Sequence, residues 1–409
     1  MFKDLGQFKE VKKIFEILQV AGAKSRFVGG CVRDSLMNKP IQDIDIATNL
    51  LPDKVESVFN AKGYKTLDVG KDFGTVVVIL DSYPYEITTL RKDIETDGRR
   101  ATSVKYTDSW DEDALRRDFT INAMSYCPYE KKLYDYFGGE KDLKAGIIKF
   151  VGDPEERVQE DFLRILRFFR FYTYYGKHHT IEQKSLNACI KYAHKIEILS
   201  GERKYYEFHK ILLHKDRVET IELMSSNGVL PHLFKHEIAD KVINILKNID
   251  TLEISYKYKA NILLVIFAIA DFNNIELSTT SDLFRLANKD SCYLKVVHKI
   301  TRSQIHDIEK DIYKLVYQYN ETLLDAVLYL MCLEPSKDSK NQKLFVAIQS
   351  ILKQATPVFP LKGKDLIKRF NLKPGPFIGK LMLAGEDFWC KSGFKASKET
   401  IFDFLQRRL

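Results

Sequence analysis

The sequence lacks most features of secreted, membrane-bound and disordered proteins. Its six cysteines are scattered, with no pair at metal-ligand spacing and no dense disulfide framework. The longest apolar run, Ile262 to Ala270, is too short to cross a bilayer, and the N-terminal MFKDLGQFKE carries charges where a signal peptide is apolar. We therefore expect a protein of the reducing cytoplasm, with no targeting or membrane-spanning segment.

The sequence also has no shortage of apolar residues, the feature that marks disordered chains. The 409 residues are 45% hydrophobic and 12% aromatic, which is enough for more than one core. Chains of this length usually fold as several domains, and we expect two to four.

The net charge of +8 is modest, but it is unevenly distributed. Residues 157–217 hold 13 Lys/Arg against 7 Asp/Glu, and residues 361–409 hold 11 against 5, while the rest is slightly acidic. Two basic surfaces predict a polyanionic partner contacted at two places, through attraction that salt would screen. Ordinary solvated helix faces give the same counts, so charge alone leaves both interpretations open.

Hydrophobic patterning divides the chain into two parts. Before about residue 145, strand-like runs alternate with helices; the runs are Phe27-Val28, Ile41 to Ala47, Thr75 to Leu80 and Tyr85 to Leu90. Pro52 marks the start of a helix among them. From Pro154 onward, apolar residues recur three and four apart, as in helices. We predict an α+β protein, a small mixed-sheet domain followed by helical ones.

Acidic residues on predicted strands indicate a metal site. Asp43 and Asp45 are one residue apart, so both carboxylates point to the same side of a strand. Such a pair is costly without a counter-charge, and a hard divalent cation is the natural one. Glu86, on the run Tyr85 to Leu90, could complete a carboxylate site for two Mg²⁺ ions. Exposed acids on half-buried strands remain the alternative.

The segment FVGGCVRD, residues 27–34, has the features of a phosphate cradle. A strand that ends in Gly29-Gly30 and opens a helix lets the backbone approach a phosphate. Arg33, in the first helical turn, adds a charged fork to the same oxygens. The three-glycine dinucleotide fingerprint is absent. A cradle this close to an acid pair favours nucleotide chemistry over two unrelated features.

RRDFTINAM, residues 116–124, adds further polar groups. Arg117 could hold a triphosphate, while Asp118 and Asn122 could hydrogen-bond a sugar hydroxyl. A structural Arg–Asp pair explains the segment equally well.

The run EDFLRILRFFR, residues 160–170, is predicted to be helical, with Asp161, Arg164 and Arg167 three apart along one side. Such a stripe is often a salt-bridged solvated face. The same groups can match the pairing edge of a base, because the acid accepts from an amino group while the arginine donates.

Together these segments resemble the class II tRNA nucleotidyltransferases, the CCA-adding enzymes, and the similar bacterial poly(A) polymerases. The resemblance covers residues 25–215, about half of the chain. It is carried by GGCVRD, DIDIAT, YEITTLRKD, DGRR at Asp97 to Arg100, RRDFTINAM, EDFLRILRFFRF and, more loosely, LSGERKYYEFHKIL. It implies a polymerase-beta-like nucleotidyltransferase head over residues 1–145, a helical neck over 146–200, a helical body over 201–270 and a helical tRNA-binding tail over 271–409.

The resemblance implies template-independent addition of CCA to tRNA 3′ ends from CTP and ATP, by two-metal transfer that releases pyrophosphate. It implies that Asp43 and Asp45 bind Mg²⁺, with Glu86 as a further catalytic acid. It places Asp97 to Arg100 in a loop that reorients the base-reading residues between C and A addition. The candidate nucleotide-binding residues are Gly29, Gly30, Arg33, Arg117, Asp118, Asn122, Asp161, Arg164, Arg167 and Arg170.

The basic regions would then clamp the acceptor arm of tRNA through phosphate contacts. In the tail the candidates are Lys362, Lys364, Lys368 and Arg369. Alternatives of the same fold are a poly(A) polymerase and an enzyme that adds only A or only CC, and the DGRR segment argues against the last. A non-catalytic RNA-binding protein is the alternative of another class, and intact Asp43 and Asp45 argue against it.

Overall fold

The computed structural model describes residues 9–41, 43–96, 98, 101–177, 180–303, 305–333, 338–353 and 358–409. The chain divides into two compact units, Met1–His236 and Glu237–Leu409. The finer domain boundaries expected at 145, 200 and 270 stay predictions. Asp97, Arg99 and Arg100 of the expected loop lie outside the described residues.

The first unit contains nine described strands. They are β1 Ser25–Val28, β2 Asp45–Thr48, β3 Lys65–Gly70, β4 Thr75–Leu80, β5 Tyr83–Thr89, β6 Arg91–Thr96, β7 Ala101–Tyr106, β8 Ser125–Cys127 and β9 Lys132–Tyr134. Seven of them form a mixed sheet in the order β3-β4-β5-β2-β1-β8-β9. The β2–β5 pair is parallel, and the other neighbouring pairs are antiparallel. A separate ladder joins β6 and β7.

Helices complete the first unit. They are α1 Lys9–Val20, α2 Gly30–Leu36, α3 Pro52–Asn60, α4 Trp110–Leu115, α5 Gly139–Ala145, α6 Pro154–Glu160, α7 Leu163–Tyr175, α8 Gln183–Lys191, α9 Gly201–Leu212, α10 Arg217–Ser226 and α11 Val229–Phe234. The predicted starts at Pro52 and Pro154 are confirmed, because proline fits the first helical position.

The two faces of the sheet have different roles. Phe27 and its register partner Ile46 are buried on one face, where the Phe27 ring packs against Phe15 of α1. Side chains alternate along a strand, so Asp45 points to the opposite face. Glu86 of β5 is its register partner and shares that face. The apolar side of the sheet therefore fixes the position of the acidic side.

β2 is shorter than the predicted run from Ile41. The strand begins at Asp45, and Asp43 lies in the segment before it. The β2–β5 register would place Asp43 opposite Pro84, which has no N–H to donate, and β1 has already ended at Val28. The predicted runs in β1, β4 and β5 are confirmed, with small shifts at the ends.

The helix predicted through residues 160–170 is interrupted at Asp161, so its continuity was predicted wrongly. Asp161 has extended dihedral angles, φ −152° and ψ 106°, between α6 and α7. The backbone N–H of Phe162 donates to the carbonyl of Gly98 at 2.8 Å instead of continuing the helix. A carboxylate oxygen of Asp161 then accepts from the N–H of Leu163 at 3.0 Å, at the start of α7.

All described elements of the second unit are helical. They are α12 Lys241–Ser255, α13 Leu263–Phe272, α14 Leu277–Phe284, α15 Asn288–Thr301, α16 Ile305–Lys310, α17 Ile312–Tyr319, α18 Glu321–Leu333, α19 Asp338–Lys353, α20 Gly363–Phe370, α21 Pro376–Lys391 and α22 Lys398–Gln406. Within the described ranges, no helix has the length and apolarity that a membrane crossing needs. The predicted class, a mixed sheet followed by helices, is confirmed.

Candidate active site

A cavity of about 550 Å³ in the first unit gathers nearly all the predicted catalytic and nucleotide-binding residues. Its lining consists of Gly29, Gly30, Arg33, Asp43, Asp45, Arg117, Asp118, Asn122, Asp161, Arg164, Arg167, Arg170 and Phe171. The residues come from segments that are more than 100 positions apart in sequence, so only the fold could bring them together. Glu86 is the one predicted acid outside the lining.

Gly29 brings the backbone close to the charged groups of the cavity. Its φ of +71° is unfavourable for other residues. A Cβ at this position would lie 3.0 Å from Nη1 of Arg117 and 3.8 Å from Oδ2 of Asp45. The glycine is therefore favoured by its conformation, and a Cβ would also displace the Arg117 guanidinium by a few tenths of an ångström.

The acids of the sheet repel one another. Burial raises the pKa of Asp45, Arg117 partly opposes this, and Asp43 raises it further. Burial, followed by the charges of Asp45 and Asp43, raises the pKa of Glu86. Asp43 itself is exposed. The structure thus concentrates negative charge that a cation would stabilise.

The acid pair fits Mg²⁺ bound together with a phosphate substrate. Proteins commonly hold Mg²⁺ through one or two carboxylates, with water and substrate phosphates completing the octahedron. Among the described residues, no group of three or more His, Cys, Asp or Glu side chains is arranged to hold a metal. Asp43 and Asp45 therefore suit a substrate-dependent ion, while a ligand role for Glu86 stays a prediction.

A chain of hydrogen bonds fixes the polar groups expected at the sugar. Arg33 donates to Asn122 at 2.5 Å, and Asn122 donates to Asp118 at 2.9 Å. Arg167 donates to Asp118 through Nε at 2.8 Å and also through Nη2. Burial raises the pKa of Asp118, but the charge of Arg167 and these hydrogen bonds outweigh it and hold the pKa below its usual range. Asp118 is therefore an anchored anion at neutral pH.

Arg203 holds the carboxylate of Asp161. Its Nη2 lies 3.1 and 2.8 Å from the two carboxylate oxygens. The backbone N–H of Arg164 donates to the carbonyl of Asp161 at 2.9 Å, but the guanidinium of Arg164 is directed to other partners. It donates to the carbonyls of Arg157 and Arg116 at 2.9 and 3.0 Å, and to Glu160 at 2.6 Å. The predicted acid and arginine share one cavity wall, but each is oriented by separate partners.

A buried acid of α9 supports the remaining arginines. Glu207 is 1% exposed, accepts from Nε of Arg170 at 2.5 Å and lies 3.6 Å from Nη1 of Arg167. Both guanidinium groups also lie near the ring of Phe171, at 4.4 Å for Arg170 and 5.4 Å for Arg167. α9 thus holds several cavity residues in place from behind.

Arg203, Glu207 and Phe171 were not predicted from the sequence as site residues. All three lie inside motifs quoted for the resemblance, ERKYYEFHK and LRILRFFRF. Arg203 and Glu207 are four apart on α9 and so share one helix face, which is the signal that could have identified them.

The candidate RNA-binding residues are far along the chain, in the second unit. Lys364, Lys368 and Arg369 are exposed on α20, and Lys362 directly precedes it. Arg369 is paired with Glu399 at 3.4 Å. The three lysines form no ion pair within the part of the chain that the structure describes.

Comparisons with known proteins match this architecture. The family model "Poly A polymerase head domain" matches residues 25–149, and "Probable RNA and SrmB- binding site of polymerase A" matches residues 179–240. The CCA-adding enzyme of Streptococcus mutans is 32% identical over 98% of this chain and 98% of its own. The chain belongs to the CCA-adding enzyme family.

Similar proteins also occur in animals. The mitochondrial CCA tRNA nucleotidyltransferase 1 of Mus musculus is 30% identical over 97% of this chain and 90% of its own. A solved structure of the Bacillus stearothermophilus CCA-adding enzyme in complex with CTP has a TM-score of 0.74 at 25% identity. It covers 98% of this chain and 97% of that one. The family's nucleotidyltransferase head thus corresponds to the mixed sheet.

Asp45→Asn should stabilise the protein in the absence of metal. Because the pKa of Asp45 is raised in the folded protein, its ionised carboxylate lowers the free energy of unfolding. This loss of stability is present when the pH is above the pKa of Asp45 in the folded state, and it is relieved as the pH falls through that pKa. Thermal unfolding in EDTA at pH 7.5 should show a higher Tm for Asp45→Asn, by about 2–4 °C per kcal/mol of relieved desolvation and repulsion. Asp43→Asn, at an exposed position, is the matched control and should gain less. A lower Tm for Asp45→Asn would contradict this electrostatic explanation.

Proposed function

We propose that this protein adds CCA to the 3′ ends of tRNA from CTP and ATP, without a nucleic-acid template. The observation that carries the proposal is one cavity whose lining includes the acid pair Asp43 and Asp45, the close backbone approach at Gly29, and Asp161. Full-length similarity to CCA-adding enzymes supports it. The substrates are then CTP, ATP and the tRNA acceptor arm, and the protein acts in the cytoplasm.

The chemistry is an in-line displacement. The RNA 3′ hydroxyl loses its proton to solvent and attacks the α-phosphate, a new P–O bond forms, and pyrophosphate leaves with the electrons of the broken P–O bond. Arg117, which lies beside Gly29, binds and orients the triphosphate. Arg33 supports the same side of the cavity by its hydrogen bond to Asn122. Mg²⁺ held by Asp43 and Asp45 would neutralise phosphate charge and lower the pKa of the attacking hydroxyl. Positioning and electrostatics suffice, so the proposal requires no covalent enzyme intermediate.

Asp161 and Arg164 select the base in this proposal. The carboxylate accepts from an exocyclic amino group, and the guanidinium donates to a ring nitrogen or carbonyl. Cytosine and adenine both carry such an amino group. Arg203 acts as a positioning residue because its hydrogen bonds fix both oxygens of Asp161.

Exposed lysines of the tail bind the RNA backbone in this proposal. Lys362, Lys364 and Lys368 form no ion pair among the described residues, so phosphates can approach them without displacing a carboxylate. Arg369 would have to exchange Glu399 for a phosphate. Backbone contacts of this kind position the RNA without reading its sequence.

Product analysis tests the proposed function. Incubation with tRNA that lacks its last three nucleotides, followed by sequencing, should give addition of CC with CTP alone and CCA with both triphosphates. Asp43→Ala and Asp45→Ala should abolish incorporation while RNA binding stays within about twofold, because both residues act on the phosphates. Long A tails would indicate a poly(A) polymerase, and RNA binding without any incorporation would indicate the non-catalytic alternative.

Arg203→Ala should impair nucleotide choice more than nucleotide binding. Without its charge-assisted hydrogen bonds from Arg203, Asp161 is free to turn, and discrimination against UTP and GTP should fall about 10- to 100-fold. The measurement is the ratio of kcat/KM values for each triphosphate, with the KM for CTP as the second readout. Tyr206→Ala, an exposed change on the same helix, is the control. Unchanged discrimination in Arg203→Ala would refute the positioning role.

Replacing Lys362, Lys364 and Lys368 together by Ala should raise the KM for tRNA and flatten its salt dependence. Removal of one lysine–phosphate interaction reduces the slope of log K against log salt by about one. Lys340, Lys343 and Lys353, exposed on α19, form the matched triple control. Equal slopes for the two triple variants would show that α20 does not contact RNA.

A further inference from the structure

A cluster of aromatic rings surrounds an arginine on the acidic face of the sheet, outside the cavity. Cζ of Arg26 lies 4.1 Å from the ring centre of Trp110 and 3.4 Å from that of Tyr134. Its Nη1 donates to the hydroxyl of Tyr136 at 3.1 Å. We name these four residues, Arg26, Trp110, Tyr134 and Tyr136, the aromatic platform. The cavity lining includes none of them.

The platform adjoins the acid pair through the strand register. Arg26 of β1 is paired with Ala47 of β2, two residues beyond Asp45. Residues two apart on a strand share a face and are about 7 Å apart. Trp110 packs against Val28 and Ala47, on the same side. The platform therefore begins next to the catalytic carboxylates.

The charge and exposure of the platform suit a single-stranded nucleic acid. The Arg26 side chain donates to the hydroxyls of Ser125 and Tyr136 and, in the described part of the chain, pairs with no carboxylate. Glu130, the nearby acid, already accepts from the hydroxyl of Tyr134. Tyr136 is 42% exposed. A half-buried cation offers a phosphate contact, and one exposed ring with two half-buried rings, Trp110 and Tyr134, offers a stacking surface. These are the two components of single-strand binding.

We propose that the aromatic platform receives the last nucleotides of the RNA acceptor strand, with Arg26 at a phosphate and a ring of the platform against a base. This inference rests on the proposed function. The triphosphate occupies the cavity, so the RNA hydroxyl must reach Asp43 and Asp45 over another part of the same face. The platform adjoins these acids and offers both charge and aromatic surface.

Tyr136→Ala tests the platform against a closely matched tyrosine. Tyr129 is 45% exposed, but its ring contacts Phe15 on the opposite face of the sheet. With a minihelix RNA that ends in single-stranded nucleotides, Tyr136→Ala and Arg26→Gln should each raise the RNA KM about tenfold. The KM for CTP should stay within about twofold. Tyr129→Ala should match wild type, and Tyr136→Phe should retain most of the binding because it keeps the ring.

Fluorescence gives a second readout that does not need catalysis. The chain has two tryptophans, Trp110 and Trp389. The part of the signal that disappears in Trp110→Phe therefore reports on the platform. A minihelix with a single-stranded 3′ end should quench this signal, and a blunt minihelix should not.

The two hypotheses fail in different ways. A wild-type protein that incorporates no nucleotide refutes the proposed function. The difference in fluorescence quenching between the single-stranded and the blunt minihelix would still show whether the platform binds RNA. An active Tyr136→Ala enzyme with an unchanged RNA KM, or equal effects of Tyr136→Ala and Tyr129→Ala, overturns the platform.

Discussion

The burial and mutual repulsion of acids gathered at one face of the sheet are the constraint on which the site depends. Asp45 and Glu86 are register neighbours on parallel strands, and Asp43 precedes the first of these strands. Their carboxylates cannot move far apart, because the residues between and behind them are buried in the sheet core. Burial is the main cause of the raised pKa values of Asp45 and Glu86, and the charges of the neighbouring acids raise them further. A site that is strained in the absence of a cation gains affinity for the cation, so the cost in stability serves function.

The charged groups of the cavity are oriented by ion-pair partners, of which Asp118 also lines the cavity while Glu207 and Arg203 are outside its lining. Asp118 fixes Arg167, Glu207 fixes Arg170, and Arg203 fixes Asp161. These pairs are buried or half-buried, and each charged group therefore has a defined direction before a nucleotide enters. Base choice without a template requires such preorganisation, since no complementary strand is present to reject a wrong base.

Much of this site was predictable, because strand alternation and compact motifs carry local information. Asp43, Asp45, Gly29 and Arg117 were predicted and line one cavity. The break at Asp161 was not predictable, because the bond from Phe162 to Gly98 joins residues 64 positions apart. The spacing of apolar residues indicates a helix, but it carries no information about a distant residue that competes for one of the backbone hydrogen bonds of that helix. The same reason explains why Arg203 and Glu207 were not predicted, since their partners lie about 40 residues away.

The most informative measurement is a crystal structure with CTP and Mn²⁺, in which anomalous scattering locates the metal. We expect an anomalous peak between the carboxylates of Asp43 and Asp45, with the triphosphate against Gly29 and Arg117. A nucleotide bound in the cavity with no metal peak at these two carboxylates would contradict the metal role of the acid pair.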